Sequence, residues 1–150
     1  AYQQAGDRGD VARLSADAGV DQLARLVELA PTVNYPQALA EALLVRAAGH
    51  RDAGRIADVR ADLDGAVEIA ERLLKQTPTR PAYSALAGRA LGRRGLADVE
   101  AHDVESARRR ISRALDLLAV ALKSNPDEPE NRKAKQEFEE AVKSLPASSE

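Results

Sequence analysis

The residues that could do chemistry in this 150-residue chain are two histidines, a serine–histidine–aspartate group, a glycine run and two sets of arginines. His50 and His102 would act as metal ligands or general bases only if Asp, Glu or His side chains converged on them. Both fall in predicted turns without a partner at ligand spacing, so each is expected to be a solvated loop side chain. Ser106, His102 and Asp103 lie close in sequence, but no elbow motif surrounds Ser106, and Asp103 is better used as a helix cap. The run from Gly88 to Gly95 has the glycine density of a phosphate loop. It lacks the closing Gly-Lys-Ser/Thr and a preceding strand, so its glycines read as helix termination. Arg8-Gly9-Asp10 matches an integrin-type tripeptide by chance, at a place where a helix is predicted to begin. The absence of cysteine excludes disulfides, thiolate metal sites and a cysteine nucleophile. No catalytic residue, cofactor or metal is expected, and the chain is read as a non-enzyme.

The arginines carry more information. Arg108, Arg109, Arg110 and Arg113 form a basic run which, beside Glu105 and Asp116, reads as a solvated helix face. Nucleic-acid binding would want aromatic platforms between the charges, and none are present. Arg46 and Arg89 each stand three residues before a glycine, Gly49 or Gly92, and so are expected at equivalent places on successive helices. On one groove they would lie roughly 10 Å apart, about a helix diameter, and grip acidic groups with a bidentate fork. Arg46, Arg89, Leu39, Leu43, Leu86 and Arg93 are the candidate partner-binding set. The alternative is that each arginine pairs with an Asp or Glu of a neighbouring helix.

The elements that must position these residues are helical. The central stretch, Arg55 to Pro78, places Ile56, Val59, Leu63, Ala66, Val67, Ala70, Leu73 and Leu74 at steps of three and four. Glu68 precedes Arg72, and Glu71 precedes Lys75, by the four residues that favour a helix-surface pair. Four segments end in proline at Pro31, Pro78, Pro126 and Pro146, each with small or apolar residues twelve, eight and five places earlier. The first three prolines are 47 and 48 residues apart, a period that marks stacked helical units. Just after them, Asn34, Thr79 and Asp127 each stand two residues before a proline, the signature of a capped helix start. Gly6, Gly49 and Gly92 are expected to end the first helix of each unit, with Asp7 or Asp10, Asp52 and Asp103 opening the second.

The predicted organisation is all-α. It comprises a truncated first repeat (1–31), helix-pair repeats over 32–78 and 79–126, a capping helix (127–145) and a polar tail (146–150). Within these, helices are expected over 10–30, 35–48, 55–76, 80–94, 103–123 and 128–144, with a longer connection from Gly95 to His102. A hydrophobic content of 44 %, mostly Ala and Leu with one Phe and no Trp, suits closely packed helices. The net charge of −2 gives no whole-chain attraction to nucleic acid or anionic membrane. No run reaches the roughly 18 apolar residues of a membrane span, and no signal-peptide core is present, so a cytoplasmic location is expected. The Arg and Ala bias points to a GC-rich bacterial source, and the start at Ala1 without Met points to a processed chain or a piece of a longer one.

Small first-helix residues (Ala42, Ala85), the glycines (Gly49, Gly92) and the ladder Ala134, Phe138, Ala141 and Pro146 resemble the tetratricopeptide repeat family. The period exceeds that family's 34 residues, and Leu39 and Ala82 stand where its first-helix aromatic would be. The likeness is therefore to the longer, degenerate bacterial type. It implies a right-handed α-solenoid of antiparallel pairs whose first helices line a concave, peptide-binding face. The expected function is a non-catalytic scaffold that binds a protein or peptide, acidic if the arginines grip it. The alternatives are a spacer or dimerisation segment without a ligand, and an arginine-mediated phospho-ligand or nucleic-acid binder. Weak self-association through the N-terminal edge is also expected, because the stripe Val11, Leu14, Leu23 and Leu26 lacks a covering partner.

Overall fold

The computed structural model describes the backbone of residues 2–30 and 34–147 and the side chains of 13–30 and 34–147. Pro31, the tail beyond Ala147 and the side chains of Arg8, Asp10 and Val11 lie outside the described residues. The described residues form six α-helices and no strand: α1 (Tyr2–Leu29), α2 (Tyr35–Asp52), α3 (Ile56–Gln76), α4 (Pro81–Glu100), α5 (Val104–Ser124) and α6 (Pro129–Ser144). Pro36, Pro81 and Pro129 stand in the first turns of α2, α4 and α6, where a missing N–H leaves no bond unmade.

The caps differ in detail from expectation. Asn34 is at the N-cap of α2 without a side-chain bond, and Arg80, not Thr79, stands at that of α4. Glu128, not Asp127, caps α6 by accepting from the Asn131 N–H at 2.7 Å. Asp103 caps α5 as expected, accepting from the Ser106 N–H at 3.2 Å.

The glycine stops need correction. α1 runs through Gly6 and Gly9, α2 through Gly49 and α4 through Gly88, Gly92 and Gly95. The expected helix ends at 48 and 94, and the connection from Gly95 to His102, are therefore helical as far as Asp52 and Glu100. Asp7 and Asp10 lie within α1, and Asp52 closes α2 instead of opening α3. The residues that turn the chain are Gly54 (φ 75) and His102 (φ 60), both in the left-handed region.

That turn fixes the internal register. Gly54 and His102 are 48 residues apart, and the same offset carries α3 onto α5, each 21 residues long. Buried positions repeat with it: Val59 with Ala107, Leu63 with Ile111, Ala66 with Ala114, Ala70 with Leu118, and Leu43 with Leu91. Two helix pairs of the chain thus bury the same positions.

By contacts the chain divides within α3 into Ala1–Ala66 and Val67–Glu150. In the first unit α1 packs on α2, and the buried apolar side chains are Val20, Ala40, Leu43, Ala47, Val59, Leu63 and Ala66. In the second unit α4 is packed by both α5 and α6. Its core joins Leu91, Ala107, Ile111, Ala114, Leu118, Ala134 and Phe138. At Gly92, inside α4, a Cβ would stand 2.0 Å from the Phe138 ring. Gly88 and Gly95 make the same room for Leu118 (2.9 Å) and Ile111 (2.6 Å). Absence of a side chain, not backbone freedom, is what those positions require.

Candidate functional site

In the first unit three helices meet at Arg46. α2 presents Arg46 and His50, which are one turn apart, and α3 presents Asp62 from its apolar stripe between Val59 and Ala66. The guanidinium holds Asp62 by a fork, Nε to Oδ2 at 2.8 Å and Nη2 to Oδ1 at 2.6 Å. Its Nη1 donates to Asp17 of α1 at 3.3 Å. His50 Nε2 lies 3.5 Å from Asp62 Oδ2. The hydrogen bond to Asp62 raises the Arg46 pKa, against the opposing effect of burial, so the group stays charged. Asp62 is only 5 % exposed and has both oxygens engaged by the guanidinium. It serves as the anchor of a brace across three helices. A cleft of about 420 Å³ opens beside it, lined also by Arg13, Leu14, Arg55 and Asp58.

The second unit carries the corresponding node. The offset of 48 places Arg94 at the position of Arg46, Asp98 at that of His50 and Arg110 at that of Asp62. Asp98 is 4 % exposed; it accepts from Arg94 Nη1 at 2.6 Å and from Arg110 Nη1. Each helix pair therefore buries one aspartate against arginine at the same place, with the charges redistributed among the three positions.

The expected groove residues are built into these packings. Arg46 is the centre of the first node, so its counterpart one repeat on is Arg94 and not Arg89. Arg89 Nη1 donates to Glu130 at 3.0 Å and Arg93 Nη1 to Glu137 at 2.7 Å, while the Arg93 guanidinium lies 5.6 Å from the Phe138 ring centre. The acidic segment that Arg89 and Arg93 hold is thus α6 of the same chain. Leu43 and Leu86 are buried, which withdraws their side chains from any partner, and Leu39 is half-buried. The intramolecular alternative accounts for all three arginines.

The other candidates also move. His50 is a buried helix residue on Asp62, not a loop histidine, whereas His102 is exposed at its turn as expected. Asp103 holds Ser106 as a cap, and the bond from Ser106 keeps its carboxyl below the usual range. In the basic run, Arg110 serves Asp98, Arg113 pairs with Glu71 at 3.0 Å, and Arg108 donates to the Pro146 carbonyl. Arg109 donates to Ser106 Oγ at 3.5 Å. Asp62 and Asp98 escaped the sequence reading, although an acid set into an apolar stripe is a legible sign of a buried pair. No group of three or more potential metal ligands occurs among the described residues. No protein-family model matches the chain, and no curated protein matches it either.

Proposed function

We propose that the chain is a non-catalytic protein-interaction scaffold of the tetratricopeptide type, with helix pairs repeating every 48 residues and α6 as the terminal cap. The observation that carries this reading is the shared register of the two pairs: one left-handed turn position, one set of buried positions and one buried ion-pair node. Repetition of that kind serves stacking, and stacked pairs in a right-handed superhelix generate extended surfaces without dedicated chemistry. Of the groups that could do chemistry by sequence, His50 lies on the buried Asp62 and Asp103 caps Ser106, while His102 stands exposed at its turn. α6 fits a cap because Asn131, Ala134 and Phe138 face inward, while Arg132, Lys133, Gln136 and Glu140 remain exposed. None of the helices among the described residues is long and apolar enough to cross a membrane.

Selection from a displayed random-peptide library tests the scaffold reading. The folded chain should enrich sequences sharing a motif, and each should compete with the others for the surface. Failure to enrich anything beyond what an unrelated helical bundle enriches would overturn it. A second reading, a self-associating spacer, draws on Leu14, Leu29 and Val45, which stand 60, 81 and 69 % exposed in the first unit. Sedimentation across concentration separates the two: a spacer dimerises and enriches no peptide.

A further inference from the structure

The second unit has an open cleft of about 650 Å³ where α5 turns into α6. Its apolar wall is Leu122, Pro126 and Pro129, and Arg132, Lys133 and Lys135 stand around it with Asp127 and Glu139. Their distance from any carboxylate sets these cations apart from the arginines that brace the helices. Arg46, Arg93 and Arg94 hold Asp62, Glu137 and Asp98 at 2.6–2.7 Å. Arg132, in contrast, comes no nearer to Asp127 than 3.9 Å, with both side chains largely in water. Lys135 is 3.7 Å from Glu139 on the same exposed helix face. Lys133 makes no hydrogen bond or ion pair among the described residues. Pairs this loose and exposed contribute little to folding, so exchanging their partners costs little.

We propose that this cleft is a docking site for an acidic protein segment carrying an apolar anchor residue, a proposal that rests on the scaffold reading above. The apolar anchor covers Leu122, Pro126 and Pro129, and carboxylates on the segment take Lys133 first, then Arg132 and Lys135. Asp127 and Glu139 decide the class of partner. A continuous polyphosphate would bring a charge against each of them, whereas a peptide can set its carboxylates opposite the cations and its backbone N–H groups toward the acids. No aromatic side chain lines the cleft to stack a base.

The test uses the full chain and a fluorescent synthetic peptide alternating glutamate with leucine, read by anisotropy and mapped by backbone amide shifts. The peptide should bind, weaken steeply with added salt, and shift amides of 122–139. The variant Arg132→Gln/Lys133→Gln/Lys135→Gln should lose about tenfold or more in affinity, from three exposed charge contacts. The control Arg72→Gln/Lys75→Gln should bind as the parent does, and circular dichroism confirms that each variant is folded. The proposal is overturned if the glutamine counterpart of the peptide binds equally well, if the triple variant binds unchanged, or if single-stranded DNA binds there in place of the peptide. Library-selected peptides that bind elsewhere and ignore the triple variant would refute this site while leaving the scaffold reading intact. Absence of any binder in both experiments would refute both.

Discussion

Glycine has two uses in this chain, and they predict opposite mutational signs. At Gly92 an added methyl would meet Phe138 ring atoms at 2.0–2.5 Å, and that ring is fully buried. Overpacking of this kind typically costs about 1–3 kcal/mol, more than the ~1 kcal/mol that alanine gains over glycine inside a helix. At Gly49 a Cβ would meet nothing within 4 Å. Gly92→Ala should therefore destabilise and Gly49→Ala stabilise by up to about 1 kcal/mol. Urea unfolding of both variants checks this, and equal signs would refute the packing account. Arg46 gives a second residue-scale test. Removing its side chain strips the buried Asp62 of the fork that holds it, and breaking a buried pair costs roughly 3–5 kcal/mol. The 20 % exposure of Arg46 places the expected loss at or below the low end of that range. Arg46→Lys should recover only part, because the fork is lost. A melting temperature for Arg46→Ala equal to the parent's would show that the node is ornamental, returning Arg46 to the surface role first expected of it.

At the scale of elements, α6 is held by one buried aromatic, a notch and two arginine pairs on α4. Deleting residues 127–150 uncovers Leu91 and Leu118, each worth about 1.5–3 kcal/mol when fully buried. The shortened chain should melt lower and aggregate; one as stable and monomeric as the parent would mean that α6 covers nothing. The start of α5 has a pH signature. Ser106 holds the Asp103 carboxyl below its ordinary pKa, so the charged cap favours the folded state above that ordinary value. The contribution disappears as pH falls through the depressed value. Asp103→Asn keeps an acceptor but cannot titrate, so the stability difference between parent and variant should shrink in acid; a difference constant with pH would sink this account. The spans of α3, α5 and α6 were legible from sequence because an apolar stripe and flanking prolines agree on them. The ends of α2 and α4 were not, because a glycine that makes room for a ring is written like one that turns the chain. That one ambiguity also displaced the register, pairing Arg46 with Arg89 when the turn residues Gly54 and His102 pair it with Arg94.

At the scale of the whole molecule, repeated pairs do not imply equal stability. The first unit buries only Val, Leu and Ala among its apolar side chains, with His50 and Asp62 beside them. The second buries Tyr83, Leu86, Ile111, Leu118 and Phe138, of which the last four are fully enclosed. Larger buried side chains contribute more, at about 25 cal/mol per Å² of apolar surface. Local opening follows such differences where parts of a chain differ in their own stability. Amides of α1 and α2 should therefore exchange through a partial opening of lower free energy, while those of α4 and α5 exchange only on global unfolding. Native-state hydrogen exchange at rising denaturant resolves the two classes. Arg46→Ala should lower the opening free energy of α1 and α2 and leave that of α4 nearly untouched, whereas Gly92→Ala should act on α4, α5 and α6. If every protected amide reports one common free energy, and both variants shift all of them together, the chain is a single cooperative unit. The 48-residue register would then describe its geometry and not its energetics.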